Sequence, residues 1–240
     1  MIDLHCHILP GMDDGARDLE TALAMARAFV ADGVCVVACT PHILPGLYKN
    51  TGDQIRAAVV DFQGELDQRD IGLQLVPGAD VHIVPALVEG LRSGELLALA
   101  DSRYVLVEPP RHVAPPRFEQ VLFDVVSAGY VPIITHPERL TWLQTQYDLV
   151  GRLVAGGVWM QLTAGSLAGG FGRSARELAE RMLEEKLAHV LATDAHDDGR
   201  RRPDLKRGYE LAAARIGRDA AWDLVFSRPR SVLENVVPEY

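Results

Sequence analysis

Residues 1–16 read MIDLHCHILPGMDDGA. A short apolar run leads into His5 and His7, which stand two apart with Cys6 between them. On an extended strand both imidazoles point to one face and the thiol to the other. Two imidazoles side by side at the end of a buried strand are costly unless their ring nitrogens are satisfied, and a divalent cation does that for both at once. The structural alternative is a polar strand end whose histidines bond nearby carbonyls, so H-x-H alone is only a hypothesis. The stretch also bears on the fold, because no glycine fingerprint follows the first strand. That argues against an open dinucleotide-binding sheet.

Working outward from IDLH (2–5), six further runs read as strands: VCVVACT (34–40), LQLVPGADV (73–81), YVLVE (104–108), VPIITH (131–136), VWMQLT (158–163) and HVLATD (189–194). They are short, rich in Val, Ile and Leu, and apolar at consecutive positions, as strands of a parallel sheet buried on both faces are. Helical periodicity fills the gaps. Over 18–32, Leu19, Ala22, Leu23, Ala26, Phe29 and Val30 share a face and Gly33 supplies the stop. Thr51 with Gln54, and Ser174 with Glu177, have capping-box spacing. Segments 85–92, 117–128, 146–156 and 206–226 complete the helices. Seven strands, each followed by helix and with no repeat or linker between them, predict one α/β domain over 1–240, a closed or nearly closed (β/α) barrel.

The 240 residues are 48% hydrophobic and 24% charged, an ordinary globular balance. A net charge of −9 with GRRRP (199–203) as the sole basic cluster argues against nucleic-acid binding, which rests on neutralising phosphates. Three cysteines, Cys6, Cys35 and Cys39, give no disulfide framework and read as small core residues of a protein in a reducing cytoplasm. No basic and apolar leader follows Met1, and no apolar run approaches a membrane span, so neither export nor membrane insertion is expected.

The strand ends carry the chemistry. His5, His7 and, past a turn, Asp14 follow the first, and His42 follows the second. Asp80 closes the third, Glu108 the fourth and His136 the fifth, while Asp194 and His196 follow the seventh. At the C-terminal face of a barrel these five histidines and four carboxylates converge. Singly each has a structural alternative: Asp14 a turn residue, Glu108 an ion-pair partner, His136 a satisfied core histidine. Together, without cations, they form a costly polar cluster, so a divalent-metal site is expected.

This order of residues resembles the polymerase-and-histidinol-phosphatase (PHP) superfamily, and is closest to its bacterial tyrosine-phosphatase branch, which is encoded with capsule and exopolysaccharide machinery. MIDLHCHILPGMDDGA, SRYVLVE, PIITHPER and TDAHD carry the likeness, which runs from residue 1 to about 210. The resemblance implies a distorted seven-stranded (β/α) TIM-like barrel. It implies two or three divalent metals, most often Mn²⁺, with iron or zinc as alternatives. His5, His7, Asp80 and Asp194 would hold one metal, Asp80, Glu108 and His136 a second, and Asp14, His42 and His196 a third. The branch usually bridges with glutamate where this chain has the shorter Asp80. Arg139 and Arg201 match positions that clamp the substrate phosphate, with Arg202 as an alternative to Arg201 and Glu138 as a competing partner for Arg139. The implied activity is metal-dependent hydrolysis of phosphotyrosine on a protein partner, a bacterial tyrosine kinase of exopolysaccharide synthesis. Three divalent ions against four carboxylates would leave the mouth positive, suited to a phosphate dianion.

Other chemistries fit less well. A cysteine phosphatase needs arginine six residues past the nucleophile, where Met12, Pro41 and Pro45 stand instead. A small-metabolite phosphatase of the histidinol-phosphate kind and an amidohydrolase-type metal hydrolase are the alternatives; the second lacks a histidine after the sixth strand. Outside the pattern, His189 reads as structural, His112 as a candidate cleft residue, and AGSLAGGFG (164–172) as a loop over the site.

Overall fold

The structure, a computed structural model, describes residues 1–238. Glu239 and Tyr240, the end of the domain expected over 1–240, lie outside the described residues. Ten strands form an α/β fold with two sheets. In the smaller, β1 (Ile2–Cys6), β2 (Val36–Cys39) and β5 (Gln74–Pro77) run parallel in the order β1-β2-β5. The larger has the order β10-β9-β8-β7-β6-β3-β4, made of β3 (His42–Leu44), β4 (Tyr48–Lys49), β6 (Asp80–His82), β7 (Tyr104–Glu108), β8 (Val131–Thr135), β9 (Trp159–Thr163) and β10 (Val190–Ala192). Its pairs are parallel except the β3–β4 hairpin.

This corrects the expectation of seven strands in one sheet. The run 73–81 is broken and its second half pairs in the other sheet, while the run 34–40 is followed by a strand from His42 that the sequence did not show and that also joins the other sheet. Pro41 and Pro77 stand at the breaks and lack the N–H a ladder needs. At the second break Gly78 lies close under Leu99, where an added Cβ would stand 2.8 Å from a leucine methyl and push that side chain aside. Because both chains jog together, His42 and Asp80 become partners in the β3–β6 ladder. At the other margin, a single parallel bridge joins Cys6 to Ala195, and Asp194 N–H donates to the His5 carbonyl at 2.9 Å. The two histidine motifs at the extremes of the sequence thus lie side by side.

Two apolar cores flank the strands. One takes Leu4 and Ala38 from the smaller sheet and Tyr104, Leu106, Ile133, Trp159, Val190 and Ala192 from the larger. Intervening residues such as Val105, Val107, Ile134, Met160 and Leu191 pack into the second core with the helices. With a side-chain period of two, Tyr104, Leu106 and Glu108 share one face, as do Val190 and Ala192 with Asp194 beyond the strand. Each such face is apolar along its length and turns polar at its C-terminal end.

The helices follow the sequence in outline. α1 (Leu19–Ala31) starts at Asp18, which accepts from Thr21 N–H at 2.8 Å, and ends before Gly33. Val30, expected on its buried face, is exposed, and Met25 is buried instead. α2 (Gly52–Asp67) has the Thr51–Gln54 capping box. The Ser174–Glu177 box is absent: α7 (Arg173–Glu184) starts from Gly172 at φ 92°, which puts Ser174 already inside the helix, and Glu177 pairs with Arg173. Between them lie α3 (Leu87–Ser93), α4 (Phe118–Ser127), α5 (Asp148–Ala155) and α6 (Ala164–Leu167). After α8 (Leu205–Ile216), Gly217 turns the chain into further helix over 218–233.

His189 is a structural residue. Its ring stacks on Trp159 at 5.1 Å and its Nδ1 accepts from Met160 N–H at 3.2 Å. Burial, then the Arg228 charge, pushes its pKa down to about 4 from 6.5. The unfolded chain takes up this proton first, so stability falls as pH drops from 6.5 toward 4, by about 3 kcal/mol from this group. His189→Gln should therefore lose less Tm than the parent between pH 7 and pH 4.5. Parallel Tm curves for the two proteins would refute this assignment.

Candidate metal centre

The first strand delivers two fully buried imidazoles whose orientation is fixed from behind. His5 Nδ1 lies 2.8 Å from Gln161 Oε1, and His7 Nδ1 lies 2.6 Å from Asp13 Oδ2. A ring that donates from Nδ1 to an oxygen keeps its lone pair on Nε2. The two Nε2 atoms face each other at 3.1 Å. Lone pairs so placed repel unless a cation or proton lies between them. Asp194 Oδ1 is 3.4 Å from both, and Asp80 Oδ2 is 3.5 Å from His5 Nε2. Donor atoms about 2.0–2.2 Å from a shared cation lie roughly 3–3.6 Å from one another, so these spacings suit one metal.

The other residues continue the cluster. His136 Nε2 is 3.5 Å from Glu108 Oε1. His42 Nδ1 is 3.4 Å from Asp80 and 3.5 Å from Glu108, while its Nε2 is 3.5 Å from Asp14. His196 Nε2 is 3.6 Å from Asp14, and its ring lies 3.9 Å from that of His7. All nine side chains singled out from the sequence are thereby brought to one place. Their grouping differs from the one the resemblance implied. His42 faces both Asp14 and the Asp80–Glu108 pair, and His7 joins Asp14, His42 and His196 as well as His5 and Asp80. Asp80, despite its shorter side chain, reaches both His5 and His42.

The donor set fits divalent cations. Both oxygens of fully buried Asp80, and Nδ1 of His42 and His136, have no hydrogen-bond partner among the described residues, an expensive condition for buried polar atoms unless a ligand satisfies them. Mixed carboxylate and imidazole donors are those of manganese, iron and zinc sites. Burial opposes charge on His7, but Asp13 beside it prevails and holds its pKa up at about 10. Burial likewise opposes charge on Asp194, yet His5, His7 and Arg201 hold it well below the usual carboxylate range.

Backbone geometry is special here. His136 and Asp194 adopt left-handed conformations at φ 36° and 53°, a strained choice for residues with a Cβ. Gly15 lets the Asp13–Asp14 turn lie flat on the first strand, since a Cβ there would stand 2.1 Å from the His7 carbonyl oxygen.

Beside the cluster stand the two arginines. Arg139 Nη1 donates to Asp194 Oδ2, and Arg201 Nη2 donates to the same oxygen at 2.6 Å. Arg201, rather than its exposed neighbour Arg202, is therefore the residue that reaches the centre. Glu138 does not pair with Arg139. It is buried and accepts from Ser166 Oγ at 2.6 Å and Thr163 N–H at 3.0 Å, tying the His136 turn to α6. The chain after α6 brings Phe171 under the Arg139 guanidinium, 4.2 Å from the ring centre.

The sequence model for capsular polysaccharide synthesis, CpsB/CapC, matches residues 1–234. The chain belongs to the CpsB/CapC family. It is 40% identical over 197 residues to the tyrosine-protein phosphatase YwqE of Bacillus subtilis, covering 82% of this chain and 78% of that one. With the tyrosine-protein phosphatase CpsB of Streptococcus agalactiae it shares 25% identity over 240 residues, covering 98% and 99%. The fold superposes at a TM-score of 0.95 with 35% identity, over 100% of this chain and 96% of the other, on a structure from work on YwqE and Streptococcus pneumoniae CpsB, described as metal-dependent tyrosine phosphatases.

Several residues of this CpsB/CapC chain escaped the sequence reading. Asp13 is one: it holds His7 and accepts from the N–H groups of His42 and Gly15, both at 2.9 Å. Adjacent aspartates in a turn offer no signal as to which points inward. Asp3 ties β1 to the end of β10 by accepting from His5 and Thr193 N–H, both at 3.0 Å, and burial pushes its pKa up to about 6. His82 approaches Glu108 at 3.9 Å; its spacing two residues past Asp80 was the available clue. His112 faces Thr141 instead of the centre. Cys6 and Cys39 are buried as expected, and burial raises both thiols, whereas Cys35 is exposed rather than in the core.

Proposed function

We propose that this CpsB/CapC chain is a metal-dependent phosphomonoesterase that hydrolyses phosphotyrosine on a protein substrate, a tyrosine kinase of capsule or exopolysaccharide synthesis. The observation that carries the reading is the adjacency of nine metal-type donors to an arginine pair and an aromatic ring. His5, His7, Asp14, His42, Asp80, Glu108, His136, Asp194 and His196 would hold two or three divalent ions, with Mn²⁺ among the metals that the mixed carboxylate and imidazole donor set suits. Such ions supply Lewis acidity and an activated water near neutral pH.

The chain's own groups do the rest. Asp13 and Gln161 lock the rings of His7 and His5 so that Nε2 faces the centre. Asp194 offers Oδ1 to the histidines while both arginines hold Oδ2. Both arginines line the cavity beside the cluster, where their guanidinium forks would hold phosphate oxygens. Phe171 gives a phenyl ring an apolar surface beside that clamp. A tyrosine leaving group has an ordinary pKa of about 10, which lowers the demand for a strong acid.

The two sheets, with the Cys6–Ala195 bridge between their margins, support reading the fold as a distorted seven-segment barrel and residues 1–240 as one domain. Among the described residues no helix is long and apolar enough to cross a membrane, which accords with work on cytoplasmic substrates. A small-metabolite phosphatase or an amidohydrolase is not favoured, given relatives that are tyrosine-protein phosphatases. The test is a substrate screen on chelated and Mn²⁺-reconstituted protein with phosphotyrosine peptide, phosphoserine peptide and histidinol phosphate. Turnover of phosphotyrosine peptide should vanish on chelation and return with metal, while Cys6→Ser leaves it intact. Faster turnover of histidinol phosphate would sink the assignment.

A further inference from the structure

A cavity of about 750 Å³ opens from Asp194 and the arginine pair. Its volume is in the range that accommodates a drug-sized ligand, more than one phosphophenyl group requires. Its walls carry six arginines, Arg111, Arg139, Arg200, Arg201, Arg202 and Arg207, against three aspartates, Asp194, Asp197 and Asp204. Two of these carboxylates are already engaged. Asp194 is held by Arg139 and Arg201, and Asp197 accepts from Gly199 and Arg201 N–H at 2.7 and 2.9 Å. Arg111, Arg200, Arg202 and Arg207 are exposed and, among the described residues, form no ion pair.

That arrangement stands out in a chain of net charge −9. On the outer helices several arginines are matched with acids, as Arg173 is with Glu177, Arg176 with Glu180, and Arg215 with Glu180 and Glu184, whereas others such as Arg27 and Arg92 stand singly rather than in a group. Around the cavity four exposed guanidiniums repel one another, and of the lining carboxylates only Asp204 is left to offset them. Like charges gathered in a concave wall focus a field outward and attract anions. On the phosphatase reading the reacting phosphate would engage Arg139 and Arg201, which leaves the other four without a role.

Resting on the phosphatase reading above, we propose that these four arginines form a second anion subsite, which binds a carboxylate or phosphate borne by the substrate segment beside its phosphotyrosine. The enzyme then selects polyanionic phosphotyrosine segments. Arginine forks suit both anions, and because the groups are exposed the selection is expected mainly in KM and is screened by salt.

Three peptides of one length test this: phosphotyrosine with neutral flanks, with glutamate flanks, and with a second phosphotyrosine. Each is assayed on the Mn²⁺-loaded full chain at low and high salt, with p-nitrophenyl phosphate as the flank-free control. At low salt kcat/KM should be roughly three- to tenfold higher for an anionic peptide than for the neutral one, through KM. A gain with the glutamate peptide identifies carboxylate as sufficient, and a gain confined to the doubly phosphorylated peptide identifies phosphate as the ligand. The double variant Arg200→Gln, Arg207→Gln should erase the preference and leave p-nitrophenyl phosphate turnover unchanged. Equal kcat/KM for all three peptides, or a preference that survives in the variant, overturns the subsite. Loss of p-nitrophenyl phosphate and neutral-peptide turnover by the parent protein overturns the phosphatase reading instead.

Discussion

His136→Ala should lose bound metal and lower kcat/KM on phosphotyrosine peptide by more than about 100-fold, beyond the cost of removing a supporting partner of a metal ligand. The imidazole faces Glu108 at 3.5 Å and forms part of a cluster whose Asp80 oxygens have no other protein partner. Removing it leaves Glu108 paired only with His42 and His82. Arg139→Ala, three residues away, is the control. A guanidinium has no lone pair for a cation, so its loss should spare the metal and lower kcat/KM by roughly tenfold, in keeping with one charge-assisted contact worth about 1.5–3 kcal/mol. Elemental analysis and kinetics of both variants separate holding the metal from holding the phosphate. If His136→Ala kept full metal content, His136 would not be a ligand; if Arg139→Ala shed metal, the division of labour between them would be wrong.

The second large effect comes from a residue with no side chain. In Gly15→Ala the new Cβ would stand 2.1 Å from the His7 carbonyl oxygen and 2.4 Å from His7 Cβ, both too rigid to yield. The Asp13–Asp14 turn must lift off the first strand, which withdraws Asp13 from His7 and His42, and Asp14 from His42 and His196. Metal affinity and kcat/KM should each fall by roughly 10–100-fold, with the fold retained by circular dichroism. Gly64→Ala, in α2 with nothing within 4 Å of the added Cβ, should leave activity unchanged and raise stability by about 0.5–1 kcal/mol. Undiminished metal binding by Gly15→Ala would show that the turn does not support the cluster.

What could be read from the sequence follows from how locally each feature is encoded. Buried strands announce themselves as apolar runs, so YVLVE and VPIIT were legible almost to the residue, and with them the polar residues at their ends. The break after Pro77 and the extra strand beyond Pro41 were not, because a proline within or just past an apolar run marks a jog without saying which neighbour the next residues will pair with. Phe171 lay in a glycine-rich stretch whose path depends on Glu138, a residue that reads as a surface charge until its burial is known. Asp13 and Asp14 differ only in which way a turn faces. The arginine wall escaped because Arg111 and Arg139 are far in sequence from the GRRRP cluster and from Arg207 just beyond it, and only the fold gathers them.

The bridge between Cys6 and Ala195 also sets an order of events during synthesis. His5 and His7 leave the ribosome well before their partners Asp194 and His196, which flank a bridge whose two residues stand 189 positions apart. Until then the two early imidazoles have no carboxylate from the last strand to meet, and closing so long a loop is a slow, late step in folding. The ion-binding cage therefore cannot close until the last strand and the Asp194 and His196 that follow it have been made, and a nascent chain short of that point holds an incomplete set of donors.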